Sequence, residues 1–273
     1  MRKTLKWILL SLCLFYVATG YSQTIVKGKV INERGEAVEY VSIGLKEDSV
    51  NTISDVSGNF KITVPQGRTN DLLFSHVSYL TADVKRDKYA NGNELTVVLK
   101  DKVVKLAEVV IDRNNEPKKI VGRGVSALAG VGWRGRGGAN TGEFGTVFKS
   151  KKDCVVSDIM LGITKFTYKE CTLSFNIYRV KGKKFTNILN KPLYYKVTQD
   201  NKNKKIRIFP EEDIVLKRKE KYCITFTVVD SDGYGMIYFP STFRTGYAKI
   251  ITTGKIRKLP VGPAFIVRGT EIK

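Results

Sequence analysis

The sequence predicts an all-β protein made of two β-sandwich domains joined by a glycine-rich linker. Three observations carry that reading. Apolar residues alternate with polar ones in short runs in both halves of the chain, the pattern of strands with one buried face. Clusters of Gly, Asn, Asp and Lys separate the runs and supply turn chemistry. Between residues 112 and 142 the alternation lapses into a charged and then glycine-rich stretch, and no long amphipathic helix interrupts either half.

Residues 1–22 have the three parts of a secretory signal. Arg2, Lys3 and Lys6 form the positive region, and an almost unbroken apolar run from Trp7 to Val17 is short for a membrane span. Gly20 and Ser22 stand at the third and first positions before a cut at Gln23; a retained anchor is the alternative. Cys13 lies inside the apolar run behind Leu12, so lipidation is not expected. No later segment is apolar enough to span a bilayer, so the processed chain is expected to lack a transmembrane span.

The first domain is expected over residues 24–111. Val41, Ile43 and Leu45 alternate, as do Phe60, Ile62 and Val64, and later Leu95, Val97 and Leu99. Asn32-Glu33-Arg34-Gly35 and Asp55-Val56-Ser57-Gly58 repeat one tight-turn design. In each, a side-chain oxygen can bond the backbone ahead and glycine accepts a positive φ. These turns, with Val26-Lys27-Gly28-Lys29-Val30 before them and Asn59-Phe60-Lys61-Ile62-Thr63-Val64-Pro65 after, resemble the carboxypeptidase-regulatory-like domain. That domain is a prealbumin-like Greek-key sandwich of Bacteroidetes-type envelope proteins. The resemblance covers about a third of the chain and implies an accessory module without chemistry of its own. Residues 106–111 resemble the join that precedes the plug of a TonB-dependent transporter, but neither plug nor long barrel follows, so the transporter itself is not expected.

Residues 112–142 read as a Gly/Arg-rich linker, either a mobile tether or an extended segment whose Trp133 docks on the second domain. A short helix near 125–129 is compatible with the sequence. Arg134-Gly135-Arg136-Gly137-Gly138 imitates an RNA-binding box, yet repetition is minimal and the chain is expected to be exported, so no nucleic-acid partner is assigned. From 143 to 273 alternation returns in Val155–Leu161, Cys171–Ile177 and Tyr222–Val228, with shorter strand candidates at 193–197, 206–209, 235–239, 248–252 and 264–267. About eight strands fit an antiparallel sandwich of the jelly-roll kind. The runs 175–180 and 190–195 are similar to jelly-roll domains of Bacteroidetes envelope proteins, which implies architecture and not activity.

The formal charge is +21, and loss of Arg2, Lys3 and Lys6 with the signal leaves +18. Such an excess attracts anionic surfaces over roughly a Debye length of about 8 Å. Lysine-rich runs at 149–152, 181–184, 202–205 and 217–221 coincide with turns or strand ends. They form a basic rim if one end of a sandwich collects them and only solubilising charge if they scatter. Cys154, Cys171 and Cys223 fall at apolar strand positions and read as small buried hydrophobes; one disulfide plus a free thiol is the alternative in an oxidising compartment.

Catalytic constellations are sparse. His76 is the only histidine and sits at a strand end, so neither a histidine-based zinc centre nor a Ser-His-Asp triad is expected, and no metal or cofactor is assigned. Glu211, Glu212 and Asp213 look like a solvated loop rather than a glycosidase pair. Asp230-Ser231-Asp232-Gly233 begins like a calcium loop but lacks the downstream acid, so a hairpin turn explains it better. Behind that turn aromatics crowd. The expected ligand site is Tyr234, Tyr238 and Phe243 with Arg244 and a lid from Trp133, where rings stack on sugars and the guanidinium holds an acidic group; ordinary sandwich packing is the competing reading.

The function expected is that of an exported, non-catalytic binding or assembly protein of the cell envelope. It would lie in the periplasm or on the periphery of the outer membrane, with an envelope protein, an anionic glycan or lipopolysaccharide as partner. A carbohydrate-active hydrolase with an unrecognised carboxylate site is the alternative.

Overall fold

A computed structural model describes residues 23–102, 116–122, 130–139, 141–243 and 245–272 of the 273-residue chain. The signal-like segment 1–22, the join at 106–111, the helix considered at 125–129 and Arg244 lie outside the described residues. Among the described residues no helix is long and apolar enough to cross a membrane.

The first sandwich contains β1 (Thr24–Asn32), β2 (Ser42–Leu45), β3 (Asn51–Ile53), β4 (Asn59–Val64), β5 (Leu72–Ser75), β6 (Ala82–Val84), the one-turn helix α1 (Arg86–Tyr89) and β7 (Leu95–Leu99). One sheet runs β4-β1-β7, with β1 antiparallel to β4 and parallel to β7; the other runs β3-β2-β5-β6. Period-two patterning sets what is buried. Val26 and Val30 enter the core while Lys27 and Lys29 stay exposed, and Phe60, Ile62 and Val64 fill the same core from β4. Each such side chain, fully buried, contributes about 1.5–3 kcal/mol. Both turns form as the sequence implies. Asn32 Oδ1 accepts from the N–H groups of Arg34 and Glu36, Asp55 Oδ1 from those of Ser57 and Asn59, and Gly35 and Gly58 hold φ of 80° and 78°.

The second sandwich begins earlier than expected. Its strands are β8 (Lys118–Val121), β9 (Gly130–Arg136), β10 (Gly142–Lys149), β11 (Cys154–Gly162), β12 (Lys165–Phe166), β13 (Glu170–Lys181), β14 (Lys184–Asn187) and β15 (Leu193–Thr198). There follow β16 (Lys205–Ile208), β17 (Val215–Leu216), β18 (Lys221–Ser231), β19 (Tyr234–Thr242), β20 (Gly246–Ile250), β21 (Ile256–Leu259), β22 (Gly262–Pro263) and β23 (Phe265–Glu271). One layer is a seven-stranded sheet, β14-β13-β18-β10-β20-β21 with β15 also on β13. Opposite lie β16-β11-β23-β8, with β17 on β11, and β12-β19-β22, with β9 on β19. Leu173, Phe175, Ile224 and Phe226 from the first layer meet Ile159, Leu161, Ile237 and Phe239 from the second in one core. The Phe226 and Phe239 rings meet edge to face at 4.7 Å.

Each of the eight strand segments read from the second half is present. Of the two readings of 112–142, the described residues follow the extended segment, with Trp133 packed in the core of the second domain, and not the mobile tether. β8 pairs with β23 and β9 pairs along seven residues of β19, so this stretch is built into the sandwich. The glycines serve close approach rather than flexibility: a Cβ on Gly132 would stand 2.1 Å from Ile237 O.

The two sandwiches join along the free edge of β3. Ile53 N–H donates to Gly138 O at 3.0 Å, and Gly138 N–H donates to Val228 O at 3.2 Å, so one residue is bonded to both domains. Beside it Thr141 N–H donates to Asn51 Oδ1 at 2.8 Å, and the Thr141 and Thr252 hydroxyls lie 3.3 Å apart. Gly138 holds φ of 75°, and a Cβ there would lie 3.0 Å from Val229 O. Farther along, the Tyr40 and Tyr194 rings meet edge to face at 5.0 Å. His76, the strand-end residue of the sequence reading, sits at this junction. Ser78 N–H donates to its Nδ1, which assigns the ring proton to Nε2, 3.3 Å from the Tyr194 hydroxyl oxygen. Burial pushes the His76 pKa down to about 4.

Replacing Gly138 by Ala forces an L-residue into the left-handed region and is expected to cost about 1–2 kcal/mol. Urea unfolding of the two forms measures it, and an unchanged midpoint would contradict the interface geometry. His76 supplies a pH dependence. Its folded pKa, about 4, lies below the ordinary 6.5, so the unfolded state binds more protons between those values. Its contribution is fully present above pH 6.5 and is lost as pH falls toward 4, by at most about 3 kcal/mol. His76→Gln is expected to flatten the stability slope in that window relative to the parent; equal slopes would show that the imidazole is not desolvated.

Candidate functional site

The aromatic site expected on β19 does not assemble. Period-two alternation turns Ile237 and Phe239 inward and leaves Tyr234 exposed and Tyr238 half-buried on the outer face. Phe243, just past the strand, is 84% exposed, but nine residues of extended chain separate it from Tyr234 by about 30 Å. Trp133 cannot serve as a lid. Opposite Ile237 in the β9–β19 register it points into the core at 5% exposure, edge to face with Phe144 at 6.2 Å. Arg244 lies outside the described residues.

The lysine runs do collect. Lys149 on β10 is opposite Lys221 on β18, and Phe148 and Arg179 both face Tyr222, so β10 and β13 end where β18 begins. The loops there are tied together: Ser150 N–H donates to Glu220 O, Lys219 N–H to Ser150 O, and Arg218 N–H to Asp153 Oδ1. Lys181 and Lys184 close the neighbouring hairpin. In the opposing layer β11 begins at the same end, since Cys154 pairs with Leu216, and Lys118 pairs with Gly269 nearby. Lys118, Lys119, Lys151 and Lys152 border a groove of about 250 Å³. Glu271 and Glu220 lie in this field as ion-pair partners of Lys152 and Arg179. Three of the four runs thus share one end. The fourth starts from the far end of β11, where Lys205 faces Gly162, roughly 25 Å away.

A cleft of about 350 Å³ lies between the seven-stranded sheet and the first domain, reaching Tyr178 and Phe185 beside the Lys181–Lys184 hairpin. The sheet face turned from the core is polar here: Ser174 is opposite Thr227, Asn176 opposite Thr225, and Glu143 opposite Lys249. Glu143 is wholly buried. It accepts from Asn176 Nδ2 at 2.5 Å, Tyr178 OH at 2.7 Å and Thr225 Oγ1 at 3.0 Å, and Lys249 Nζ stands 3.5 Å away. Burial, reinforced by the Glu143 charge, raises the Tyr178 hydroxyl well above its ordinary pKa. Removing Lys249 would leave the carboxylate uncompensated at a cost of several kcal/mol. The sequence patterning marked these strands as one-sided and gave no sign that their polar side would be covered.

Other candidate groups have structural duties. Asp232 accepts from Lys169 N–H and Ser231 Oγ donates to Gly233 O, so residues 230–233 form the hairpin turn expected between β18 and β19. Glu212 accepts from the N–H groups of Asn190 and Lys191. Asp158, buried beside a bulge in β11, is held by Arg268 at 2.7 Å and Arg207 at 3.1 Å. Cys154, Cys171 and Cys223 are buried free thiols; burial pushes the first two up to about 11 and about 12 and the third higher still. Among the described residues no group of three His, Cys, Asp or Glu is placed to hold a metal ion.

Comparison with known proteins places the first sandwich. No curated protein sequence matches the chain. Among solved structures, the Gt strain of infectious bursal disease virus gives 10% identity and a TM-score of 0.28, covering 92% of this chain and 60% of the viral one. The VP2 subviral particle of the same virus gives 9% identity and a TM-score of 0.25, with 92% and 65% covered. The chain thus spans less than two thirds of either viral protein, and the likeness is too slight to assign the second sandwich. A family model does match the N-terminal part, with its boundaries inside the predicted domain: residues 26–111 match the CarboxypepD_reg-like domain.

Proposed function

We propose that the protein is an exported, non-catalytic binding protein of the bacterial cell envelope that docks on an anionic partner, an acidic glycan or lipopolysaccharide, through the basic end of its second sandwich. The convergence of three lysine runs with Lys118 and Lys119 on that end carries the reading. These side chains are exposed, and their fields add where they share one surface. Lysine is suited to the task, because a strongly hydrated point charge recognises a charged surface without demanding one geometry. The placement of the other reactive groups supports a non-catalytic role. Among the described residues, both buried carboxylates, Glu143 and Asp158, are neutralised by cations, His76 is engaged at the domain junction, and no Asp or Glu lines the cleft. The secretory pattern of residues 1–22 supports export.

Binding to heparin and to purified lipopolysaccharide, with neutral dextran as control, tests the reading. Both anionic probes should be retained, and affinity should fall about tenfold or more between 50 and 300 mM salt. Joint replacement of Lys151, Lys152, Lys183 and Lys219 by Glu should abolish retention, while the same change at Lys202, Lys204 and Lys205 should leave most of it. Equal losses from the two sets would reduce the basic end to general charge. N-terminal sequencing of the envelope fraction should begin at Gln23; full-length chain in the cytoplasm would contradict export.

A further inference from the structure

We infer that the cleft between the two sandwiches is a second, independent ligand site and that its ligand is a polyhydroxylated ring of monosaccharide size. Three observations lead there. The volume, about 350 Å³, is at the small end of the roughly 300–1,000 Å³ spanned by small-molecule pockets. Its floor carries an unanswered group: Thr227 is 1% exposed, lines the cleft, and its Oγ1 has no hydrogen-bond partner. A buried hydroxyl left unpaired is costly, and Thr227 lies on the cavity wall, so a ligand hydroxyl that displaces the wall slightly to reach Oγ1 would supply the missing partner.

The third observation is the arrangement of the walls. Asn187 and Tyr194 stand on one side, and Tyr40, His76 and Tyr79 of the first domain on the other. Their polar groups are already oriented: Asn187 Nδ2 donates to Asn176 Oδ1 at 2.7 Å, and the Tyr194 oxygen faces His76. Hydroxyls and amides can each give and take a hydrogen bond, which matches a ring whose substituents do the same. The tyrosine rings in the lining add the apolar surface that the C–H face of such a ring requires. Among the described residues the cations bordering the cleft are Lys249, already bonded to Glu143, and Lys102, with no carboxylate in the lining. An acidic substituent on the ring is therefore tolerated, and the hydroxyls are the feature recognised. Because residues of both domains line the cleft, the site exists only while they stay docked. It reaches the Lys181–Lys184 hairpin at Phe185, but none of the lysines of the four runs lines it, so the two sites use different side chains.

The test is a titration of the full chain with neutral hexoses, hexuronic acids and their short oligomers, followed by calorimetry and by backbone-amide NMR. Saturable binding is expected, with shifts concentrated at residues 174–178, 187–194 and 227–229. Thr227→Val removes the unpaired hydroxyl at constant shape, so it should leave the unfolding midpoint unchanged or raised. It should also weaken ring binding at least fivefold. Replacing Lys151, Lys152, Lys183 and Lys219 by Glu should leave ring binding intact, which separates this site from the basic end. The proposal is overturned if no ring compound binds at millimolar concentration, as when a single water satisfies Thr227. It is equally overturned if the shifts fall elsewhere, or if a folded Thr227→Val binds as tightly as the parent. Should that variant not fold, the shift map on the parent decides alone.

Discussion

Gly138 is the residue on which the arrangement of this protein turns. Its carbonyl accepts from Ile53 at the edge of the first domain and its N–H donates to Val228 in the second. Two net hydrogen bonds of about 1 kcal/mol each are modest by themselves. Their importance lies in what they fix. A free edge strand such as β3 invites pairing with any other chain, and here the invitation is answered from within. Once the two backbones are tied, Gly44 of β2 comes so close to Thr252 that a Cβ would approach its side chain to 2.9 Å, and Tyr40 and His76 are carried onto Tyr194. Glycine is the favoured residue at this point, because the chain turns there with a positive φ and a Cβ would press on Val229 O at 3.0 Å.

The docking explains an otherwise odd feature of the second domain. The outer face of its large sheet carries Thr, Asn, Glu and Lys side chains that a solvated sheet would leave in water. Instead Glu143, Thr225 and Thr227 are buried and form or border a hydrogen-bonded network. Such a network is tolerable when each member has a partner, and Thr227 is the exception. The cleft is the space that remains between a polar sheet face and the domain that covers it. Just beyond Tyr178 and Phe185 the loops carry lysine after lysine, so one sandwich sets a sheltered polar cleft beside an exposed cationic end.

Much of this architecture was legible in the residues. The turns at 32–35 and 55–58 were readable because a side-chain acceptor and a glycine three positions later fix one local geometry. Strands such as Phe60-Lys61-Ile62-Thr63-Val64 were readable because alternation reports burial directly. The glycine-rich stretch left two readings open, since the same composition serves a flexible tether and a strand that must approach its neighbour closely, as Gly132 does. The aromatic cluster misled for another reason: closeness in sequence along β19 is not closeness in space, since the extended strand carries Phe243 far from Tyr234 although Tyr234 and Tyr238 share its outer face. Whether the lysine runs converge depended on strand register, which a single sequence does not display. The cleft was beyond reach because it is made by two domains together.

Amide hydrogen exchange at the junction tests this account most directly. If the sandwiches are docked as described, the N–H groups of Ile53, Gly138 and Thr141 should be protected to nearly the degree seen in β1 and β18, because each is bonded across the junction or to its neighbouring strand. Exchange of those three amides at the rate of exposed loops, with the strand cores still protected, would show that the domains move independently and that the cleft is not a lasting feature of the protein.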